Sequence, residues 1–240
     1  MALVVLVVGT GTDVGKTHVT GALVRAARAC GLRATAWKPV ATGAPDGMGD
    51  DARALATACA PDDELVPPLF AYGPPIAPHL AARLDARPID GRAIARRARE
   101  LADDHRVDVL VVEGAGGLYT PLCADYTQAT LARDLAPEVI VPVAPDRLGV
   151  LHDVTACVRA ACADGLHNLA VALSAPATTD ASTGTNAAEL LALGVVDAVT
   201  PFPRAAATDA RTLDAATALL DRVLGAAPGH GRASRAETTT

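Results

Sequence analysis

Six runs rich in Val, Leu and Ala, at residues 3–8, 34–37, 107–112, 139–143, 169–173 and 195–199, constrain this chain more than any other feature. A strand with one wet face alternates apolar and polar residues, whereas a strand covered on both faces reads as a nearly continuous apolar run. Between the runs lie segments of helical spacing at 16–29, 50–59, 91–102, 127–135, 150–163, 186–193 and 208–224. This alternation predicts βαβ units and so an α/β chain with a doubly wound, mostly parallel sheet and helices on both faces. Ligands gather at the carboxyl ends of such strands. Residues 66–84 interrupt the pattern: prolines at 67, 68, 74, 75 and 78 do not fit a helix interior or a central strand, which predicts a long structured loop with a functional role.

At 240 residues and 50% hydrophobic, the chain can bury a sizeable core, expected as one domain over 1–224. The segment 225–240, GAAPGHGRASRAETTT, lacks apolar periodicity and is expected to be disordered. A net charge of −6 argues against a nucleic-acid surface, and the Arg92, Arg96, Arg97, Arg99 cluster, interleaved with Glu100, reads as a solvated helix face. Five cysteines without C-x-x-C spacing point to free thiols in a reducing compartment. The apolar start, MALVVLVV, is too short to span a membrane and has no basic flank, so no membrane role and a cytoplasmic location are expected.

The first run is followed by GTGTDVGKTHVTG and a helical stretch. Backbone N–H groups of such a turn, over Thr12, Asp13, Val14, Gly15 and His18, face phosphates; Lys16 adds a mobile positive charge, and the Thr17 hydroxyl can bind Mg²⁺. The strict spacing would place glycine at position 10, where this chain has Thr10, so the loop is a variant. A dinucleotide G-x-G-x-x-G fails at Val14. Glu113, expected just outside the strand of VDVLVVEGAGG, can reach phosphate or metal, while Gly114, Gly116 and Gly117 bring backbone close, and Gly114, Ala115 and Gly116 are expected to border the nucleotide. Asp50 and Asp51 open a helix; one can complete the metal shell and the other can be an N-cap, and spacing does not choose between them. Lys16 and Lys38 are the only lysines among 21 Lys and Arg residues. Lysine is a compact charge that can slide between transferring oxygens, which the rigid arginine fork cannot. Two lysines after neighbouring strand ends therefore converge on one phosphoryl group.

Together, Gly9–Thr17, KPVATG (38–43), Asp51–Ala52, VVEGAGG (111–117) with TPL (120–122), and Leu148–Gly149 resemble the dethiobiotin synthetase family over nearly the whole ordered chain. The resemblance implies a P-loop fold that converts 7,8-diaminononanoate, CO₂ and ATP to dethiobiotin, ADP and phosphate, with Mg²⁺. By matching motif, it gives Lys38 and Lys16 catalytic roles, Thr42 the substrate, and Thr17, Asp51 and Glu113 the metal. It also implies a homodimer in which backbone at Gly149, Val150 and Leu151 holds the substrate carboxylate across the interface, and a base site bordered by the Pro201–Arg204 turn, Pro203 included. Three departures stand out: His152-Asp153 where the family more often has Asn-His, Ala77-Pro78-His79 for Ser-Pro-His, and Ser174-Ala175 for the Asn-Asp that reads adenine. The last leaves open a relaxed choice among ATP, CTP and GTP. Two rivals are weaker: a cobyrinate-type synthetase needs a glutaminase domain for which there is no room, and a partitioning-type switch ATPase needs an early lysine where Thr10 and Gly11 stand.

Overall fold

The computed structural model describes residues 1–59 and 66–226. In chain order the elements are β1 (Leu3–Gly9), α1 (Lys16–Ala29), β2 (Ala34–Trp37), β3 (Val40–Thr42), α2 (Gly49–Ala56), β4 (Phe70–Tyr72), α3 (Pro78–Leu84), α4 (Gly91–Asp103), β5 (Val109–Gly117), β6 (Pro121–Cys123) and β7 (Tyr126–Thr127). They continue with α5 (Gln128–Leu135), β8 (Val139–Pro145), α6 (Val150–Ala163), β9 (Val171–Ser174), α7 (Asn186–Ala192), β10 (Val199–Phe202) and α8 (Ala210–Ala226). Six strands form a parallel sheet in the order β10-β9-β8-β1-β5-β2. The doubly wound α/β architecture expected from the apolar runs is therefore the one observed.

The residues of β1 explain why those runs do not alternate. Val5 and Val7 pack with Val19 and Leu23 of α1 and Leu219 and Leu220 of α8. Leu6 and Val8 pack with Ile94 and Ala98 of α4 and Leu131 of α5. Both faces are dry, so every position of the strand is apolar. Small side chains let the layers approach: Gly91 opens α4 where an added Cβ would lie 2.2 Å from the Tyr126 ring. The Tyr126 hydroxyl donates to Asp134 Oδ2 at 2.7 Å, so the ring is fixed from its far end. Gly91→Ala is expected to cost about 1–3 kcal/mol by overpacking, read as a fall in Tm of about 2–4 °C per kcal/mol. A melting curve identical to that of the unaltered protein would show that the ring yields freely.

Several boundaries differ from the sequence expectation, each for a local reason. The Pro-rich segment is not one loop: β4 pairs in parallel with β3 between its prolines, and α3 begins at Pro78, where the missing N–H costs nothing. The last strand is 199–202 rather than 195–199. Gly194, at φ 62°, ends α7, and the Val195 N–H closes that helix onto the Leu190 carbonyl at 3.0 Å, so Val195 and Val196 do not enter the sheet. Strand β5 runs on to Gly117, pairing Gly9 with Gly117, so Glu113 lies inside the strand and not beyond it. Helix α8 continues through Gly225 and Ala226; the rest of the tail expected to be disordered lies outside the described residues. Among the described residues, no helix is long and apolar enough to cross a membrane.

Candidate active site

The carboxyl ends of β1, β5 and β2 meet at the loop between β1 and α1. That loop reaches its shape through Asp13 at φ 56° and Gly15 at φ 94°, the left-handed region that glycine adopts without strain. Val19 is the first helical residue to bond back, to the Gly15 carbonyl at 3.1 Å, which leaves the N–H groups of the first turn free of intrahelical partners. Those groups, with the positive end of the helix dipole, form an anion site. Lys16 is 8% exposed and folds back over the loop, its Nζ donating to the Gly11 carbonyl at 3.3 Å. Burial lowers its pKa, helped by the charge of Lys38 and opposed by Glu113, Asp51 and Asp13.

Two lobes open on either side of the loop. The first, about 820 Å³, is lined by Lys16, Thr17, Lys38, Thr42 and Asp51 on the loop side and by Ile76 to Pro78 of the Pro-rich segment opposite. The second, about 770 Å³, is bounded by Ser174, Ala175, Pro203 and Arg204. Thr12, Asp13, Gly15 and His18 line both. In the first lobe the Thr17 hydroxyl is 2.9 Å from Asp51 Oδ1 and 3.0 Å from Glu113 Oε1. Lys38, 6% exposed, donates to that same Glu113 oxygen at 2.6 Å and to Asp51 Oδ2. Burial pushes the Lys38 pKa down, but the Glu113 and Asp51 carboxylates outweigh it and hold the ammonium above its usual value. Asp51 is likewise held low: its partial burial is overcome by Lys38 and by the Thr17 hydroxyl.

The side chains at positions 50 and 51 have different surroundings. Asp51 faces the lysine, whereas the Asp50 side chain stands in solvent with Arg53 at 3.6 Å. The helix start is served by neither, since Asp46 Oδ1 accepts the Met48 and Gly49 N–H groups at 3.1 and 3.0 Å. Glu113 is fully buried, and its Oε2 has no hydrogen-bond partner. An orphaned carboxylate oxygen beside a hydroxyl and a second carboxylate fits a hard divalent cation, and Mg²⁺ needs only one or two protein carboxylates beside phosphate and water. Gly114 and Gly116 bring the strand end close to its supports: a Cβ at Gly114 would sit 3.0 Å from Gln128 Oε1, and one at Gly116 2.5 Å from Thr120 Oγ1. Ala115 presents its carbonyl to Gln128 Nε2 at 3.1 Å.

In the second lobe Ser174 is spoken for. Its hydroxyl donates to the Val14 carbonyl at 2.6 Å, and the Ala175 N–H goes to the Phe202 carbonyl at 2.9 Å. Ser174 therefore buttresses the loop rather than standing free, a role that 160 residues of separation hide from sequence reading. His18 packs edge-on against Phe202, and its ring N–H is held by the Pro203 carbonyl while burial lowers its pKa. Gly149, Val150 and Leu151 do not line the lobe that holds Lys38 and Thr42. They form the start of α6, with Gly149 at φ 96° and Leu148 beside it 76% exposed. Three hydrogen bonds that sequence reading missed fix this turn: Asp146 accepts from Asn186 Nδ2 at 2.6 Å and from the Gly184 N–H at 2.8 Å, and Asp180 accepts from the Leu148 N–H at 2.8 Å. His79 lies outside the lining, and His152 stands exposed beside a shallow groove with Tyr119 and Asp153.

Known proteins resemble this chain in sequence and in fold. The AAA domain family model matches residues 4–225. The ATP-dependent dethiobiotin synthetase BioD of Anaeromyxobacter sp. strain Fw109-5 is 41% identical over 177 residues, 72% of this chain and 77% of that protein. The protein of the same name from Anaeromyxobacter dehalogenans strain 2CP-1 is 41% identical over 193 residues, 78% and 83% of the two chains. Among solved structures, the signal recognition particle receptor FtsY from Elizabethkingia anophelis superposes with a TM-score of 0.54 at 14% identity, over 90% of this chain and 66% of that one. At that identity the likeness concerns the P-loop fold alone.

Proposed function

The chain belongs to the ATP-dependent dethiobiotin synthetases, ligases of biotin biosynthesis, and we propose that it closes the ureido ring in the lobe that holds Lys38. The observation that carries this reading is the meeting of Lys38, Thr17, Asp51 and Glu113 beside the phosphate loop. One amine of 7,8-diaminononanoate adds to CO₂ and loses a proton, giving a carbamate. A carbamate oxygen attacks the γ-phosphorus of ATP, and ADP leaves. The second amine then attacks the carbamoyl carbon, expelling phosphate and closing the ring.

The chain's part in this is placement and charge. Amides of Thr12 to His18 and the Lys16 ammonium hold the β- and γ-phosphates. Lys38 neutralises the carbamate and the transferring phosphoryl group, and Thr42, at the end of β3, holds the substrate through its hydroxyl. Thr17, Asp51 and Glu113 would hold Mg²⁺, which would supply positive charge to offset that of the phosphates. In this reading the turn at Gly149, Val150 and Leu151 serves a neighbouring subunit's substrate carboxylate, making the working form a homodimer, and the enzyme is cytoplasmic.

Ser174 and Ala175 offer the base no free side-chain amide or carboxylate, so Pro203 and the backbone must border it. A site that rejects an analogue strongly does so through buried groups left unpaired, and positions 174 and 175 supply none. Purified protein with bicarbonate and Mg-ATP is expected to release ADP only when the diamine is added, with a ureido product by mass. CTP and GTP are expected to support rates within about tenfold of ATP. ADP release indifferent to the diamine would overturn the ligase reading, and strict ATP dependence would overturn the open base site.

A further inference from the structure

Lys38 touches the two carboxylates that the reading above assigns to the metal. Its ammonium donates to Glu113 Oε1 at 2.6 Å and to Asp51 Oδ2, while the Thr17 hydroxyl bridges the same two side chains. A divalent cation held by the same side chains, the unpartnered Glu113 Oε2 among its donors, would take carboxylate oxygens at about 2.0–2.1 Å. Two cations gathered on the same pair of carboxylates, one of them the Lys38 ammonium 2.6 Å from Glu113 Oε1, repel severely at such range. The site therefore takes one or the other. Lys16 differs, for although it is cationic and near, its Nζ rests on the Gly11 carbonyl and on neither carboxylate.

We propose that Lys38 is the resident counter-cation of the metal site in the nucleotide-free enzyme, and that it gives up Glu113 and Asp51 when a divalent cation arrives. The inference rests on the assignment of the metal to Thr17, Asp51 and Glu113. Without an internal cation, the fully buried Glu113 charge would stand uncompensated. Once displaced, the ammonium remains in the lobe lined by Thr42 and Gly43, on the side where acceptor and γ-phosphate meet. Loading the metal and releasing the catalytic lysine are then one event, and an enzyme without metal keeps that lysine engaged.

The two-lysine composition makes the test direct. Lysine labelled with ¹³C at Cε gives two resonances in the full chain, assigned with Lys16→Met. Mg²⁺ added to the nucleotide-free protein is expected to shift the Lys38 signal more than that of Lys16, and to do so less in Glu113→Gln. In parallel, Mn²⁺ binding followed by its free-ion paramagnetic resonance is expected to tighten in Lys38→Met by roughly tenfold more than in Lys16→Met, since only the first removes the occupant. Equal tightening in the two variants would reduce the effect to net charge and overturn the exchange. So would a Lys38 resonance unmoved at saturating Mg²⁺, a measurement that does not depend on any Lys38 variant folding. Mn²⁺ uptake by the nucleotide-loaded protein that Glu113→Gln leaves unchanged would overturn the metal assignment itself and the exchange with it.

Discussion

Lys38→Gln is expected to lower turnover about a hundredfold or more, the usual consequence of losing one preorganised charge at a reacting centre. Glutamine is the informative replacement because it can still donate an N–H to Glu113, which is fully buried and accepts from Lys38 at 2.6 Å. An apolar residue would leave that carboxylate alone and confuse loss of catalysis with loss of fold. The comparison to make is kcat beside KM for the diamine and for ATP. A fall confined to kcat places Lys38 on the transferring phosphoryl group; near-normal turnover would remove it from the chemistry.

The second large effect is expected from Lys16→Arg, which keeps the charge. Lys16 is 8% exposed and curls over the loop to within 3.3 Å of the Gly11 carbonyl. A planar guanidinium is wider than an ammonium and spreads its donors in a fixed fork, so it cannot occupy the same narrow position above the loop amides. Turnover is expected to fall about a hundredfold, as for other lost phosphate contacts, with weaker ATP binding by calorimetry. Unchanged affinity and rate would show that the 9–17 loop does not hold the phosphates as described.

The sequence was most readable where one residue type has a single physical reason to be present. The unbroken apolar runs gave the buried sheet because both faces of β1 are packed. The scarcity of lysine singled out Lys16 and Lys38, which lie near enough for the Lys38 charge to help lower the Lys16 pKa after burial. Where several reasons compete, the reading failed or stayed open. The glycines of β5 suggested a loop but continue the strand to Gly117. Pro201 concealed β10, although an edge strand tolerates proline. Asp46, not Asp50 or Asp51, meets the N–H groups at the start of α2. The Ser174 contact with Val14 and the Asp146 contact with Asn186 join distant segments, and no local pattern announces them.

Pro201 has a consequence beyond the shape of its own strand. Strand β10 is one margin of the six-stranded sheet, four residues long, and the proline removes an N–H from its ladder. A stray extended chain arriving at that margin finds an interrupted row of donors, which discourages open-ended growth of the sheet from copy to copy. At this margin the proline thereby acts as a stop to strand-to-strand stacking, written into the sequence at the one position of the strand where it costs the fold little.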